Sequence, residues 1–434
     1  MHRLLLVPSF YGLAGWIIAV LLYFLNAINW APPTALCLVT CISVVASFAL
    51  SLSLNYKRFA AIENRPVAAN ASWQWRRRLL EPLCFVYLAI GTLGLVWYIA
   101  TLATRFGNLY ELALVFISES HRIRWANEEG RHVSFQLTYF GWIGIFLAVY
   151  GRKHFRFNKL LLAMSTLQFI GNLLFVDRTR PIWLLFVTTQ MIIYGATFSA
   201  SGGSLLQGGL LVRRGRRAKR SINAILLPSS LIGLSMLIFY LVAEWSGKTG
   251  ENMSHSYGNP NVPEIVLGPY IYATSGLAFL NDQLSETEPW LGFNNSIYPA
   301  LVAASKIDPN IAAPRALLDF RLCPHPTNVG TFLEPFLSDG GIAFAIVGIA
   351  IHAFFFDWLA YRCLAQRGFH GIHLWATLCF VNAISCFVSK VNTTPVWIFS
   401  TLGIVSIALG ASARHGRCRL VTAQLPDAFS ESKP

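Results

Sequence analysis

Apolar residues run through the chain in blocks of about 20, separated by shorter polar stretches in which Arg and Lys recur. A block of that length in helical form covers the hydrocarbon core of a bilayer. Ten blocks are read as transmembrane helices: 7–27, 33–53, 82–103, 132–150, 160–176, 182–200, 223–245, 341–361, 372–389 and 396–412. Stretches such as Ile342 to Phe355 show no alternation of apolar and polar positions, which excludes the strands of a membrane barrel. The pattern predicts an all-α polytopic integral membrane protein.

One further apolar stretch, Ile265 to Leu280, is interrupted by Gly268, Pro269, Tyr270, Tyr272 and Gly276. It reads as too short to span and fits an interfacial or re-entrant helix. Crossing together with a partner such as Leu291 to Ser305 would raise the count from 10 to 12 and leave the sidedness of every other loop unchanged. The chain therefore divides into an N-terminal bundle of seven spans (1–245), a large loop (246–340) and three spans with a basic tail (341–434). No internal repeat or low-complexity tract interrupts this plan.

Composition agrees. Of 434 residues, 55% are hydrophobic and 12% charged, about half the charge of a soluble domain, and mean hydropathy is +0.51. Disorder, coiled coil and collagen are excluded. The net charge of +14 sharpens the picture once it is mapped: 23 of the 34 Lys and Arg residues fall at the N-terminus, in every second loop and in the tail, whereas only five of the 20 acids (Glu63, Glu81, Asp357, Asp427, Glu431) do. Basic loops mark the cytoplasmic side, so both termini are expected there. The first block lacks a small-residue cleavage site before Asn29-Trp30-Ala31-Pro32-Pro33 and is read as a retained helix. Of eight cysteines only Cys323 falls in an outer loop, so no outer pair exists to form a disulfide, and Cys37 and Cys41 lack further ligands for a metal.

The basic run Arg213 to Arg220 has the look of a nucleic-acid patch, but between two spans it serves topology and contact with anionic lipid. Gly202-Gly203 and Gly208-Gly209 complete no phosphate-binding loop. Three outer groups carry candidate chemistry. Asp177-Arg178-Thr179-Arg180-Pro181 is a tight turn holding two guanidinium groups on a face otherwise poor in them, suited to a lipid diphosphate at headgroup depth. Snorkelling at the interface is the plainer alternative. Arg122 and Arg124, beside His121 and Trp125, form a second basic group, which Glu119, Glu128 and Glu129 balance as a solvated face. The densest group is Arg315, Asp319, Arg321, His325, Asn328, Thr331, Glu334 and Asp339. Acid, base and cation at a membrane face can perform general acid/base work and stabilise an anionic leaving group, and a polar loop facing water reads equally well. Tyr257, Tyr270, Tyr272, Trp290 and Tyr298 upstream could stack on sugar rings or form an interfacial belt. Asp339 could instead cap the eighth span.

Asn328-Val329-Gly330-Thr331-Phe332, followed by Asp339-Gly340-Gly341 and a span, resembles the Wzy-type oligosaccharide repeat unit polymerases, the O-antigen polymerase group. Those commonly show Asn-x-x-Thr, an aromatic residue and Asp-x-Gly opening a helix. Arg178-Thr179 resembles the family's arginine-bearing turn, and Tyr270 to Leu280 its Tyr-rich segment. Gly330 and Gly340 depart from it, standing where Tyr and an aromatic residue are frequent. The resemblance implies a GT-C-like membrane glycosyltransferase of the bacterial inner membrane, working at the periplasmic face without metal, nucleotide sugar or other cofactor. The implied partners are undecaprenyl-diphosphate-linked oligosaccharides, membrane lipids and a chain-length regulator protein, and no nucleic acid. On that reading Arg178 and Arg321, with Arg180 and Arg315, attend the leaving diphosphate, and His325, Glu334 and Asp339 are candidate bases. Asn328, Thr331, Tyr257, Tyr270, Tyr272, Arg122 and Arg124 are candidates for substrate contact. An O-antigen ligase is the alternative, and a glycan-lipid flippase or other transporter a second one, disfavoured because the span centres read as nearly free of charge.

Overall fold

A computed structural model describes residues 3–64, 72–120, 122–123, 133–155, 157–173, 175, 179–198, 241, 264–285, 292–308, 310–311, 321–366 and 368–423. Its helices are α1 (Pro8–Leu25), α2 (Ala35–Asn64), α3 (Ser72–Phe106), α4 (Leu109–Ser118), α5 (Val133–Phe155), α6 (Lys159–Leu173), α7 (Thr179–Phe198), α8 (Glu264–Gln283) and α9 (Tyr298–Ile307). After a small antiparallel hairpin, β1 (Arg321–Leu322) and β2 (Pro326–Thr327), come α10 (Glu334–Ala350), a π-helical turn (Ile351–Phe355), α11 (Phe356–Gln366), α12 (Phe369–Ala383) and α13 (Thr394–Ala423).

Nine of the ten apolar blocks coincide with helices, and the tenth, 223–245, lies outside the described residues apart from position 241. Among the described residues, five segments are long and apolar enough to cross a membrane: Pro8–Leu25, Ala35–Ile62, Arg78–Phe106, Val133–Arg152 and Glu334–Gln366. Ile18, Leu21 and Phe24 on α1, Val39, Ile42 and Leu54 on α2, Leu93 and Val96 on α3, and Ile346 on α10 are all exposed. A soluble protein rarely leaves so much apolar helix surface uncovered, whereas lipid covers it. The molecule is an all-α membrane protein.

The bundle is organised around α12, which packs against α1, α5, α7, α11 and α13 and is buried along nearly its whole length. Its 15 residues rise only about 22 Å, so this block is shorter as a helix than its apolar run suggests. The Ile265 to Leu280 stretch is helical, as expected, and is not among the five membrane-length apolar segments. It forms a continuous 20-residue helix, α8, whose inner turns are buried against α1. Pro269 removes one backbone donor near the start, and the helix continues because Leu267, Ile271, Leu277 and Leu280 all bury. Residues 298–307 form only a ten-residue helix, about 15 Å long, too short to be a second crossing.

Alternating helix direction gathers the connections at two ends. Asn158 N–H donates to Glu81, Ser9 N–H to Asp357, and Gln366 to the Ile407 carbonyl, so these segments share one end. Lys57, Arg58, Arg78, Arg152, Lys159 and Arg362 lie in or next to them. Asp357, fully buried, supplies the cap that α1 lacks at Val7. The π-helical turn beside it is met by Ser9 and Ser51, whose hydroxyls donate to the Ala353 carbonyl at 2.9 and 2.6 Å. The opposite end holds the α1–α2 connection, the end of α8, the hairpin, the start of α10 and residues 385–393.

Candidate functional site

Three consecutive polar residues close α8, and each reaches a different segment, because successive helical positions turn by about 100°. Asn281 accepts from Thr34 N–H at 2.8 Å and donates to the Pro32 carbonyl at 3.1 Å, which fixes the α1–α2 connection. Asp282 pairs with Arg321 at 3.1 Å, and the Arg321 guanidinium also lies 5.0 Å over the Phe279 ring. Gln283 donates to the Ser338 hydroxyl at 3.1 Å and to the Glu334 carbonyl at 3.4 Å. The last turn of α8 is thus the hub on which the hairpin and the start of α10 converge.

The start of α10 follows from its sequence. Glu334 and Pro335 occupy the first turn, where an acid meets the positive end of the helix and a proline loses no bond. Thr331 accepts from Leu333 N–H at 3.3 Å just before it. Phe332 is fully buried, its N–H donating to the Ser385 carbonyl at 2.8 Å and its ring lying 4.1 Å from His352 and 5.7 Å from Trp16. This aromatic of the Asn328 to Phe332 motif therefore plugs the core and anchors the polar residues on either side. Glu334 is buried, and Ser338 one turn later donates to its carboxylate at 3.1 Å.

Asp339 stands at a kink, directly before the second of two helical runs. The chain is helical from Glu334, breaks at Gly340 and Gly341, and then continues. Gly341 sits at φ +61, ψ −151, a conformation open essentially only to glycine. The break turns the fully buried Asp339 carboxylate away from its own helix and onto residues 295–296. Oδ1 accepts from Asn295 N–H at 2.9 Å and from Asn295 Nδ2 at 3.0 Å, while Oδ2 accepts from Ser296 N–H at 2.6 Å. Gly292 N–H donates to the Asp339 carbonyl at 3.2 Å. The expected cap exists, but it closes the segment leading into α9 and not the eighth span.

The other sequence candidates scatter. His325 bonds the Ile28 carbonyl at 2.8 Å and stands edge-on to Trp30, tied to the α1–α2 connection. Asn328, three residues further on and just past β2, is half-buried. The Tyr270 hydroxyl donates to the Leu22 carbonyl and accepts from Ala27 N–H, both at 2.8 Å, so it splices α8 to α1, and Tyr272 packs against Phe387. Arg180 is 2% exposed, its guanidinium lying 3.9 and 4.0 Å from the Phe175 and Phe135 ring centres. It donates to Thr138, Tyr139 and Asn172. That enclosure sets Arg180 apart from the α8 hub. Arg122, exposed, pairs with Glu119 one turn away, which is the solvated-face arrangement. Arg178, Arg315, Asp319, Tyr257, Trp290 and Arg124 lie outside the described residues.

Sequence reasoning missed Asn281, Asp282, Gln283, Asn295 and Ser338. The first three carried a usable signal, three polar side chains in a row ending an apolar helix. Asn295 and Ser338 carried none, since their roles depend on long-range contacts. No three His, Cys, Asp or Glu side chains gather as metal ligands among the described residues. Comparison with protein-family models, with curated proteins and with solved structures returns no match.

Proposed function

We propose that this protein is an oligosaccharide repeat unit polymerase, a glycosyltransferase acting on undecaprenyl-diphosphate-linked repeat units at the periplasmic face of the bacterial inner membrane. The observation that carries the reading is the convergence of Arg321 and Glu334 on the end of α8, with Asp339 next to Ser338 on α10, at the end of the bundle opposite Lys57, Arg58, Arg152 and Arg362. Under the positive-inside rule the basic end is cytoplasmic and the α8 hub is periplasmic. The ten-span count, the GT-C-like architecture and cytoplasmic termini belong to the same proposal.

The reaction it would perform is a substitution at the donor's anomeric carbon. The acceptor hydroxyl oxygen forms a bond to that carbon, the carbon–oxygen bond to the diphosphate breaks, and its electron pair leaves on the diphosphate. The hydroxyl proton passes to a carboxylate, with Glu334 the best placed of the three candidates because a hydroxyl already orients it. Asp339, whose oxygens are taken by three N–H donors, serves position. Guanidinium groups stabilise the developing diphosphate charge, for which Arg178, Arg315 and Arg321 are the candidates.

The test is extension by the purified full-length protein in liposomes, supplied with lipid-linked single repeat units. Ladders of products one repeat apart support the reading. Transfer only to a lipid core acceptor would make the protein a ligase, and movement of unaltered units across the bilayer would make it a transporter.

A further inference from the structure

The geometry around Gln283 points to a subsite for the hydroxyl of a neutral sugar, the acceptor, and not for the lipid diphosphate. This inference rests on the polymerase reading and adds two residues, Gln283 and Ser338, that position Glu334.

The orientation of the Gln283 amide is fixed by its neighbours. The Glu334 carbonyl at 3.4 Å can only accept, so the amide atom facing it is the donor Nε2. The Ser338 hydroxyl at 3.1 Å spends its one proton on the Glu334 carboxylate, so it too presents a lone pair to Nε2. A directed relay results, Gln283 to Ser338 to Glu334, which holds the carboxylate rotamer through two hydrogen bonds drawn from two helices.

The same assignment leaves Gln283 Oε1 as an acceptor. It belongs to a side chain only 6% exposed, and no donor meets it. A buried acceptor without a donor has given up the hydrogen bond it makes in water, and a donor that arrives there restores it. Two acceptors, the Gln283 amide oxygen and the Glu334 carboxylate, flank Ser338, and the complement to two acceptors is a ligand that donates. A sugar hydroxyl donates. A diphosphate does not, and it would face the Glu334 carboxylate and the Gln283 oxygen with charge of the same sign. Arg321, on the hairpin, is held by Asp282 at 3.1 Å. The hydroxyl proton moves to Glu334 as the hydroxyl oxygen bonds to the donor's anomeric carbon and the diphosphate leaves with the electron pair of the broken bond.

The test uses the full-length protein in liposomes with two probes: the lipid-linked repeat unit as donor, and the same oligosaccharide freed of its lipid diphosphate as added acceptor. Gln283→Ala and Ser338→Ala are expected to lower turnover at saturating acceptor at least tenfold, with the dependence on donor concentration unchanged, and Ser338→Thr restores turnover by restoring the hydroxyl. Ser338→Ala, which removes one atom from a half-buried residue, keeps the test sound if Gln283→Ala fails to fold. Altered donor dependence, or failure of Ser338→Thr to rescue, overturns the subsite. The freed oligosaccharide's binding, followed by saturation-transfer NMR, is the second readout. Binding lost in Gln283→Ala with no transfer in the wild type would retain the sugar subsite and remove the polymerase reading. Ladder formation in the wild type with unchanged acceptor kinetics in both alanine variants would do the reverse.

Discussion

Asp339 holds residues 292–298 to the start of α10, and removing its carboxylate tests whether that clamp organises the site. Asp339→Ala strands two backbone donors, Asn295 N–H and Ser296 N–H, on half-buried residues that face the fully buried carboxylate. Each stranded donor costs about 1–3 kcal/mol, and the Asn295 side chain, being free to turn, is left out of the sum. The expected loss is about 2–6 kcal/mol. Asp339→Asn separates charge from shape. Its oxygen still accepts from Asn295, but its NH₂ group confronts Ser296 N–H, so one charge-assisted bond is lost, worth about 1.5–3 kcal/mol. Thermal unfolding of the detergent-solubilised protein should rank wild type above Asp339→Asn above Asp339→Ala, and limited proteolysis should open 292–298 in the same order. An Asp339→Ala protein that melts with the wild type and resists cleavage there refutes the clamp.

Gly341→Ala forces a side chain into a backbone conformation that disfavours it and should cost about 1–3 kcal/mol, read as a lowered melting temperature, whereas alanine at exposed Ile346 should change it little. Arg321→Ala breaks a partly exposed ion pair worth about 0.2–1 kcal/mol, so the protein should accumulate normally while long-chain glycan is lost on a gel; full-length glycan would remove Arg321 from the mechanism. Arg180→Ala empties an aromatic enclosure where cation–π contact is worth about 2 kcal/mol, so it should lower the melting temperature. Cysteines placed by Arg178→Cys, His255→Cys and His325→Cys should be labelled by membrane-impermeant thiol reagents from the periplasm only, over a low background because the seven native cysteines whose side chains are described are buried. Cytoplasmic labelling would invert the topology.

The helices were legible because lipid imposes a length and a composition on each crossing, and 20 apolar residues in a row say so without any partner. Positions of the candidate chemistry were legible only as a neighbourhood. Glu334 and Arg321 belong to the same hub, yet sequence distance gave no reason to join them through Asp282 and Gln283, which precede them by about 40 to 50 positions. Asp339 was recognisable as a capping residue, while the segment it caps was hidden, because a glycine pair redirects it toward Asn295. The Ile265 to Leu280 stretch was legible as a helix, while its burial against α1 was not. Its glycines and proline weaken a helix in isolation, and burial against α1 restores it. Fully buried His352 is a polar group within the eighth span, surrounded by aromatic rings, while fully buried Asp357 lies toward the basic end, held by Ser9 and Ser51.

The central claim is that the hub at the end of α8 joins repeat units. The most direct measurement is a gel of lipid-linked glycans from a strain lacking this gene. The account predicts single repeat units, with the ladder restored by the wild-type protein and not by Glu334→Gln. Long lipid-linked chains accumulating in the deletion strain would contradict it and assign the protein to the transfer of finished chains.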